Sequence, residues 1–189
     1  PFMSKKITFY AVDDMEAEDP IESVQLELTA ESSDPNYHLS LGNVVITVHD
    51  INHAGLRVDP ISTHVEEGSA VDFIVRTTSK PNQPILISAS SDNGAIIMSP
   101  LSFELTKDNY HIGAKFTATY PDDDIVMPAG EAQINFNSGG DYFYDVLEPI
   151  HASLTFSDSD VLLLFVEDKA AAGLSSGFVI DIPEGGSQT

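Results

Sequence analysis

The sequence predicts an all-β fold made of tandem antiparallel β-sandwich repeats of the immunoglobulin-like kind, and three observations lead to it. Apolar and polar residues alternate in short segments, which is the pattern of half-buried strands. Clusters of glycine, proline, asparagine and aspartate separate these segments, as turns do. The chain also matches part of itself at a spacing of about 108 residues. About seven strands per hundred residues is typical of a two-sheet sandwich.

Four segments show the strand pattern most clearly, at residues 71–78, 85–89, 114–120 and 132–136. Turn sequences accompany them, among them Lys80-Pro-Asn-Gln-Pro84 and Asp92-Asn-Gly94. Only residues 167–173 favour a helix, and a linker explains that segment equally well. The local pattern is therefore β along nearly the whole chain.

The internal repeat consists of four matched segments in the same order. At offsets of 107 to 109 residues, 13–14 match 122–123, 24–28 match 132–136, 37–39 match 144–146, and 43–52 match 151–160. This register predicts the C-terminal half of a repeat at 1–53, a complete repeat at 54–160, and the start of a further repeat, or a linker, at 161–189. Because half a repeat cannot cover its own core face, we expect either a longer natural chain or two ends that complete one another.

The chain is strongly acidic, with 30 Asp and Glu against 8 Lys and Arg and a net charge of −22. Such a surface repels nucleic acid phosphates and anionic lipids, and it attracts cations, among which Ca²⁺ is commonly held by clustered carboxylates. Solubility alone is the alternative explanation of the acidity. The longest apolar run, at 161–166, is far shorter than the roughly 20 residues of a membrane span. The chain has no cysteine, so disulfides give no sign of the compartment.

Several acidic landmarks follow one another in the complete repeat: Glu66-Glu67-Gly68, Ser91-Asp92-Asn93-Gly94, Asp122-Asp123-Asp124 and Asp158-Ser159-Asp160. In this order they resemble the Calx-beta domain, a sandwich found in sodium/calcium exchangers and repeated in many bacterial surface proteins and adhesins. The resemblance implies a calcium-stabilised structural or adhesive module of an extracellular or cell-surface protein. The sequence departs from the family where Ile125 to Gly130 replace the further glutamates expected before Glu131.

The resemblance also implies a set of calcium ligands at one end of the sandwich. They are Glu67, Asp92, Asp122, Asp123, Asp124, Asp158 and Asp160 in the complete repeat, and Asp13, Asp14 and Asp50 in the half repeat. Independently of any family, so many carboxylates at one end repel each other unless a cation neutralises them. The alternative is that these residues form solvated turns, in which aspartate is favoured for its geometry. A cation at Asp158 and Asp160 would stiffen the junction with the next repeat.

Catalysis is not expected, because the sequence has no cysteine nucleophile, no His-Glu-x-x-His zinc motif and no glycine-rich phosphate loop. Two non-catalytic alternatives remain open. The first is a fibre subunit completed by strand exchange with identical neighbours. The second is a module that binds surface glycans or proteins through Tyr142, Phe143 and Tyr144. The match of Tyr144 with Tyr37 favours a core position for that ring instead. Neighbouring repeats, of the same or of identical chains, are the expected partners.

Overall fold

The computed structural model describes residues 6–161, with the side chains of Leu39 and Leu41 excepted. The described chain forms eleven strands, a 3-10 turn at Pro35–Tyr37 and one short helix, α1, at Tyr142–Asp145. The strands are β1 (Ile21–Ala30), β2 (Leu39–His49), β3 (Leu56–Asp59), β4 (Ser62–Glu66), β5 (Ser69–Thr77), β6 (Ile85–Ser91), β7 (Ile97–Ser99), β8 (Ser102–Leu105), β9 (Ala114–Tyr120), β10 (Gly130–Gly139) and β11 (Ile150–Ser157).

Nine of these strands, β3 to β11, form a sandwich of two sheets with the orders β4-β11-β10-β6-β8 and β3-β5-β9-β7. The pairing of β11 with β4 is parallel, and the other pairings within the sandwich are antiparallel. The prediction of an all-β fold is confirmed. The strand number exceeds the expected seven because β3, β7 and β8 have only three or four residues each, too short for their alternation to be recognised.

The core lies between the two sheets and follows from the alternation along the long strands. In β10, Ala132, Ile134 and Phe136 point inward and are buried. From the opposite sheet, Phe73 and Phe116 approach the Phe136 ring, with ring centroids 6.0 and 5.5 Å away. These tilted aromatic pairs fill the centre of the sandwich, where they supply a large part of the apolar burial.

Helix α1 follows the C-terminal end of β10 and inserts a tyrosine into the core. Asp141 caps the helix by accepting a hydrogen bond from the Phe143 amide at 2.9 Å. The Tyr144 ring is fully buried, and its hydroxyl donates to the Ser79 carbonyl at 2.8 Å. The proposed platform of three aromatics is therefore wrong for Tyr144, because its ring fills the sandwich, while Tyr142 is 76% exposed.

Strands β1 and β2 form a separate hairpin ahead of the sandwich. Its register repeats that of β10 and β11: Val24 faces Ile46, and Ala132 faces Leu154 108 residues later. All seven residue pairs between β10 and β11 have such a counterpart between β1 and β2. The predicted segment at 161–189 lies outside the described residues, apart from Val161.

Candidate metal centre

A tight turn between β4 and β5 gathers several strand ends at one pole of the sandwich. Gly68 has a φ of 72°, a conformation that glycine adopts without strain. Its amide donates to the Tyr120 carbonyl, and the Glu67 amide donates to the Ser157 carbonyl, both at 2.9 Å. The ends of β4, β9 and β11 therefore meet here, and the loops that follow β9 and β11 share one space.

Three carboxylates converge at this pole, those of Glu67, Asp158 and Asp160. Each offers an oxygen within 4.8 Å of the others. Glu67 is only 6% exposed, and it accepts hydrogen bonds from the Asp123 amide at 3.2 Å and the Ser159 amide at 3.1 Å. One carboxylate thus holds the loop after β9 and the segment after β11 in place.

The Asp122–Asp124 loop lies against the same cluster. Asp122 packs beside Gly68, and the Asp123 carboxylate accepts from the Ile125 amide at 2.9 Å. Asp124 has a φ of 60°, in the left-handed region that aspartate tolerates better than most residues. Burial is the main cause of the raised pKa of Asp160, and the charges of these three aspartates add to it. The structure therefore brings six of the seven predicted acidic residues together.

Two of the three clustered carboxylates have raised pKa values. Burial, followed by the charges of Asp158 and the Asp122–Asp124 loop, raises the pKa of Asp160. For Glu67 the Ser159 amide favours the ionised form, but burial and the nearby Asp158 and Asp160 outweigh it, so the pKa of Glu67 is raised too. Asp158 differs, because the Met127 and Asp160 amides donate to it and lower its pKa.

The donor set fits a hard divalent cation. Calcium binds six to eight oxygens and prefers carboxylates drawn from several loops. Asp160 Oδ2 is buried and has no hydrogen-bond partner among the described residues, although a buried carboxylate oxygen normally has one. Glu67, Asp158 and Asp160 would hold the ion, and the Asp122–Asp124 loop offers further oxygens. A cation would offset the burial and the mutual repulsion that together raise the pKa values of Glu67 and Asp160.

Asp92, the seventh predicted ligand, is used elsewhere. Its carboxylate accepts from the Gln133 amide at 2.7 Å, and its own amide donates to the Gln133 carbonyl at 3.1 Å. Asp92 thereby prolongs the pairing of β6 with β10 by one step beyond Ser91. The structure places it outside the Glu67 cluster.

A second acidic loop, formed by residues 13–19 before β1 together with Asp50 after β2, repeats the same local geometry. Asp50 accepts from the Asn52 amide at 2.8 Å and from the Glu18 amide at 2.7 Å, as Asp158 does from Asp160 and Met127. Asp14 accepts from the Glu16 amide at 3.0 Å, as Asp123 does from Ile125. These bonds therefore recur at offsets of 108 or 109 residues.

The backbone at Met15 and the side chain of Asp13 are two further features of this loop. Met15 has a φ of 66°, matching Asp124 at an offset of 109 residues. Asp13 accepts from the Asn52 side-chain amide at 2.8 Å, which lowers the pKa of Asp13. Asp13, Asp14 and Asp50, the three predicted ligands of the half repeat, line one pocket together with Glu18, Asp19 and Glu22.

Two lysines distinguish this second loop from the first. The carboxylates of Glu16, Asp14 and Glu18 form a cluster. Glu16 is also ion-paired with Lys80 at 2.5 Å and with Lys107 at 3.0 Å. These contacts, Lys80 first, lower the pKa of Glu16. Sequence reasoning missed them because the lysines lie 64 and 91 residues away along the chain. The one feature of the sequence that could have drawn attention to these lysines is that the chain has only 8 Lys and Arg residues.

The backbone beside Glu16 also docks on the sandwich. Ala17 is only 3% exposed, and its carbonyl accepts from the Asn82 side chain at 2.9 Å. The Lys80 amide donates to the Met15 carbonyl at 2.7 Å. Ion pairs, hydrogen bonds and burial thus combine in one contact, which we call the lysine latch (Met15–Ala17 against Lys80, Asn82 and Lys107).

The fold and its acidic pole define a β-sandwich module with a candidate cation site. No family model matches the chain, and no curated protein matches it either. Among the described residues, no helix is long and apolar enough to cross a membrane.

Several solved structures are similar over part of their length. The periplasmic chaperone SfaE has a TM-score of 0.43 and 12% identity over 58% of this chain and 60% of that chain. The E. coli chaperone DraB has a TM-score of 0.40 and 9% identity over 56% and 55%. The class 5 fimbriae chaperone CfaA has a TM-score of 0.37 and 16% identity over 54% and 55%. The chain spans little more than half the length of these proteins, and the function proposed below rests on its own residues.

Proposed function

We propose that this chain is a calcium-stabilised structural module of an extracellular surface protein, built from tandem Calx-beta-like sandwich repeats. The observation that carries the proposal is the convergence of Glu67, Asp158 and Asp160, whose oxygens lie within 4.8 Å of one another, with a buried Asp160 oxygen that has no partner among the described residues. A site of this kind gathers carboxylates from separate loops, which is how proteins commonly hold a hard divalent cation.

The mechanism is a cross-link between three parts of the chain. Glu67 belongs to the turn after β4, Asp122–Asp124 to the loop after β9, and Asp158 and Asp160 to the segment after β11. A cation bound by all three would fasten both sheets at one pole. Because the unfolded chain does not present this site, ion binding adds directly to the free energy of unfolding.

The repeated hairpin supports the tandem arrangement. The β1–β2 pairs recur in β10–β11 at an offset of 108 residues, and the acidic loops recur with the same hydrogen bonds. In a tandem array the lysine latch is the contact between one repeat and the next. Its ammonium groups already offset the Glu16 charge, so we expect the stronger calcium site at Glu67 and a junction at residues 15–17 that keeps its contacts without calcium.

Thermal melts in excess Ca²⁺ and in EDTA, at equal ionic strength, test the calcium function. An ion at 100 times its dissociation constant adds about 2.7 kcal/mol, and each kcal/mol raises Tm by roughly 4 to 8 °C in a domain of this size. We expect a rise of about 10 °C or more in the natural sequence. Glu67→Gln should lose most of it, whereas the control Glu104→Gln, at an exposed position of β8, should keep it. Coincident melts of the natural sequence would refute a structural calcium site.

A second function, a fibre subunit completed by strand exchange, is favoured by one observation. Among the described residues β2 pairs only with β1, although its counterpart β11 also takes β4 as a parallel partner. Residues 45–49 of β2 correspond to the part of β11 that β4 covers. Residues 179–183 precede a Glu-Gly pair as β4 does, so the same segment of a neighbouring chain is the donor strand in this proposal.

Sedimentation velocity over a range of protein concentrations separates the two functions. Strand exchange predicts a regular ladder of polymers that persists in EDTA and collapses when Ile180→Pro removes a backbone donor from the exchanged strand. A chain that stays monomeric at every concentration would refute strand exchange and leave the tandem module standing.

A further inference from the structure

Three consecutive apolar side chains are exposed at the acidic pole. Ile125, Val126 and Met127 are 59%, 49% and 48% exposed. They replace the acidic residues that the Calx-beta resemblance leads one to expect there, and they interrupt an otherwise highly charged loop. An exposed apolar cluster beside charged residues commonly marks a contact surface.

The corresponding place in the first half of the chain is already a contact surface. Glu16, Ala17 and Glu18 precede the triplet by 109 residues. There, Glu16 pairs with Lys80 and Lys107, and Ala17 is 3% exposed. In the first loop this position packs against residues 64 to 91 positions further along the chain, and that contact is charged, whereas the triplet is apolar.

A second copy of the chain does not suit the triplet. The residues that receive the first loop include Lys80 and Lys107, which in every copy are paired with that copy's own Glu16. Ammonium groups would also lose hydration against apolar side chains without gaining an ion pair. The occupant therefore has to be apolar and available.

The chain itself supplies such an occupant beside the triplet. The Met127 amide donates to the Asp158 carboxylate, so the triplet lies next to the segment through which the chain leaves β11. Val161, three residues on, is 76% exposed and opens the apolar run Val161-Leu-Leu-Leu-Phe-Val166. Three extended residues span only about 10 Å, which keeps this run within reach of the triplet.

We propose that residues 161–166 pack on the apolar triplet Ile125–Met127, forming the contact through which the following part of the chain is fixed to this pole. The charged lysine latch is replaced here by hydrophobic burial. The contact needs no cation, so it stands or falls separately from the calcium site.

Hydrogen exchange of the full chain, read by mass spectrometry in EDTA, tests the proposal. In the natural sequence the amides of residues 161–166 should exchange at least tenfold more slowly than unstructured amides. The double variant Ile125→Ser/Val126→Ser removes apolar surface without adding charge. In this variant the amides of residues 161–166 should exchange at least tenfold faster than in the natural sequence. The matched control Ile97→Ser/Val146→Ser removes the same residue types from positions that are 56% and 73% exposed, and it should leave the protection unchanged.

Each other result overturns the proposal. Unprotected amides at 161–166 in the natural sequence would mean that the segment does not pack. Equal loss of protection in both double variants would mean that the triplet is not its partner. Protection that grows with protein concentration would show that a second copy covers the segment. Exchange in the core strand β10 verifies that each variant is folded.

Discussion

The two hairpins of the molecule, β1–β2 and β10–β11, have one register but different environments. Leu154 is fully buried, whereas its counterpart Ile46 is only partly covered. Ile134 is buried as well, while its counterpart Leu26 is half-buried. The difference shows that local sequence sets strand pairing, and that burial depends on the sheet that packs on top.

The tyrosines after the first strand of each hairpin show the same contrast. Asp34 caps a turn that ends at Tyr37, and Asp141 caps the helix that contains Tyr144. In both cases the aspartate side chain accepts a hydrogen bond from the backbone amide two residues further along the chain. Tyr144 is fully buried, whereas Tyr37 is 66% exposed. The side chain enters a core only where Ser79, two residues beyond the end of β5, is present to receive it.

The largest expected effect comes from deleting a core side chain in one hairpin and its counterpart in the other. Leu154→Ala removes a fully buried side chain, and substitutions of this kind cost about 2–5 kcal/mol. Ile46→Ala should cost below about 1 kcal/mol, because its side chain is already partly hydrated. Urea unfolding followed by fluorescence of the tyrosines measures both. Equal costs would mean that the β1 hairpin packs as tightly as the sandwich does.

Calcium should distinguish the two acidic loops almost as strongly. Asp158→Asn and Asp50→Asn remove equivalent carboxylates with the same backbone partners. We expect Asp158→Asn to lose most of the calcium-dependent stabilisation, about 2.7 kcal/mol at 100 times the dissociation constant, and Asp50→Asn to keep most of it, because lysines already neutralise part of that loop. Melts in Ca²⁺ and in EDTA decide the matter, and an equal loss in both variants would place a calcium site of similar strength in each loop.

Much of the fold was predictable because the strand pattern is local. The segment predicted at 114–120 coincides with β9, and that at 71–78 overlaps β5 at Ser69–Thr77. The parallel pairing of β4 with β11 was not predicted, since it joins residues about ninety positions apart and leaves no mark in local alternation. Helix α1 has only four residues, too few for a periodic signal.

The segment at 6–12 shows where local pattern is insufficient. Lys6, Ile7 and Thr8 resemble Lys115, Phe116 and Thr117 at an offset of 109 residues, yet 6–12 forms no strand, whereas β9 pairs with β5 and β7. A strand needs a partner for its backbone groups, and sequence alone does not reveal whether that partner is present.

For the candidate site, spacing predicted the carboxylates but not their partners. The acidic motifs predicted that Glu67, the Asp122–Asp124 loop and the Asp158–Asp160 segment belong together, and these residues do lie at one pole. The assignment of Asp92 relied on a turn motif, and the hydrogen bonds that hold Asp92 against Gln133 of β10 depend on strand register. Whether these carboxylates bind calcium stays a prediction.

A smaller effect is expected from the two tyrosines. Tyr144→Phe removes the donor to the buried Ser79 carbonyl, and leaving a buried polar group unsatisfied costs about 1–3 kcal/mol. Tyr37→Phe should change stability by less than about 0.5 kcal/mol, as surface substitutions usually do. The free energies of unfolding in urea provide the comparison. A cost for Tyr37→Phe as large as that for Tyr144→Phe would reveal a covering partner on the first hairpin in solution.

The smallest expected effect is the pH dependence that the Glu67 pole contributes to stability. The pKa values of Asp160 and Glu67 are raised above their ordinary values of 3.8 and 4.5. In EDTA the folded state therefore holds these protons more tightly than the unfolded state. The contribution of these groups is fully present below the ordinary pKa values and is lost as pH rises through the raised ones. Asp158 and Asp50 have lowered pKa values. Their contribution to stability is therefore present above the ordinary pKa of 3.8 and is lost as pH falls below it.

Asp160→Asn isolates this contribution and reverses its sign with calcium. In EDTA at pH 7 the variant should be slightly more stable than the natural sequence, because one repelling charge is gone, and the difference should vanish as pH falls towards 3.8. In excess Ca²⁺ at pH 7 the variant should be the less stable of the two, because it has lost a ligand. The control Asp108→Asn, which removes an exposed charge from a turn away from this pole, should show no such reversal. If Asp160→Asn is destabilising to the same degree in EDTA and in Ca²⁺, its carboxylate supports the fold by itself and needs no cation.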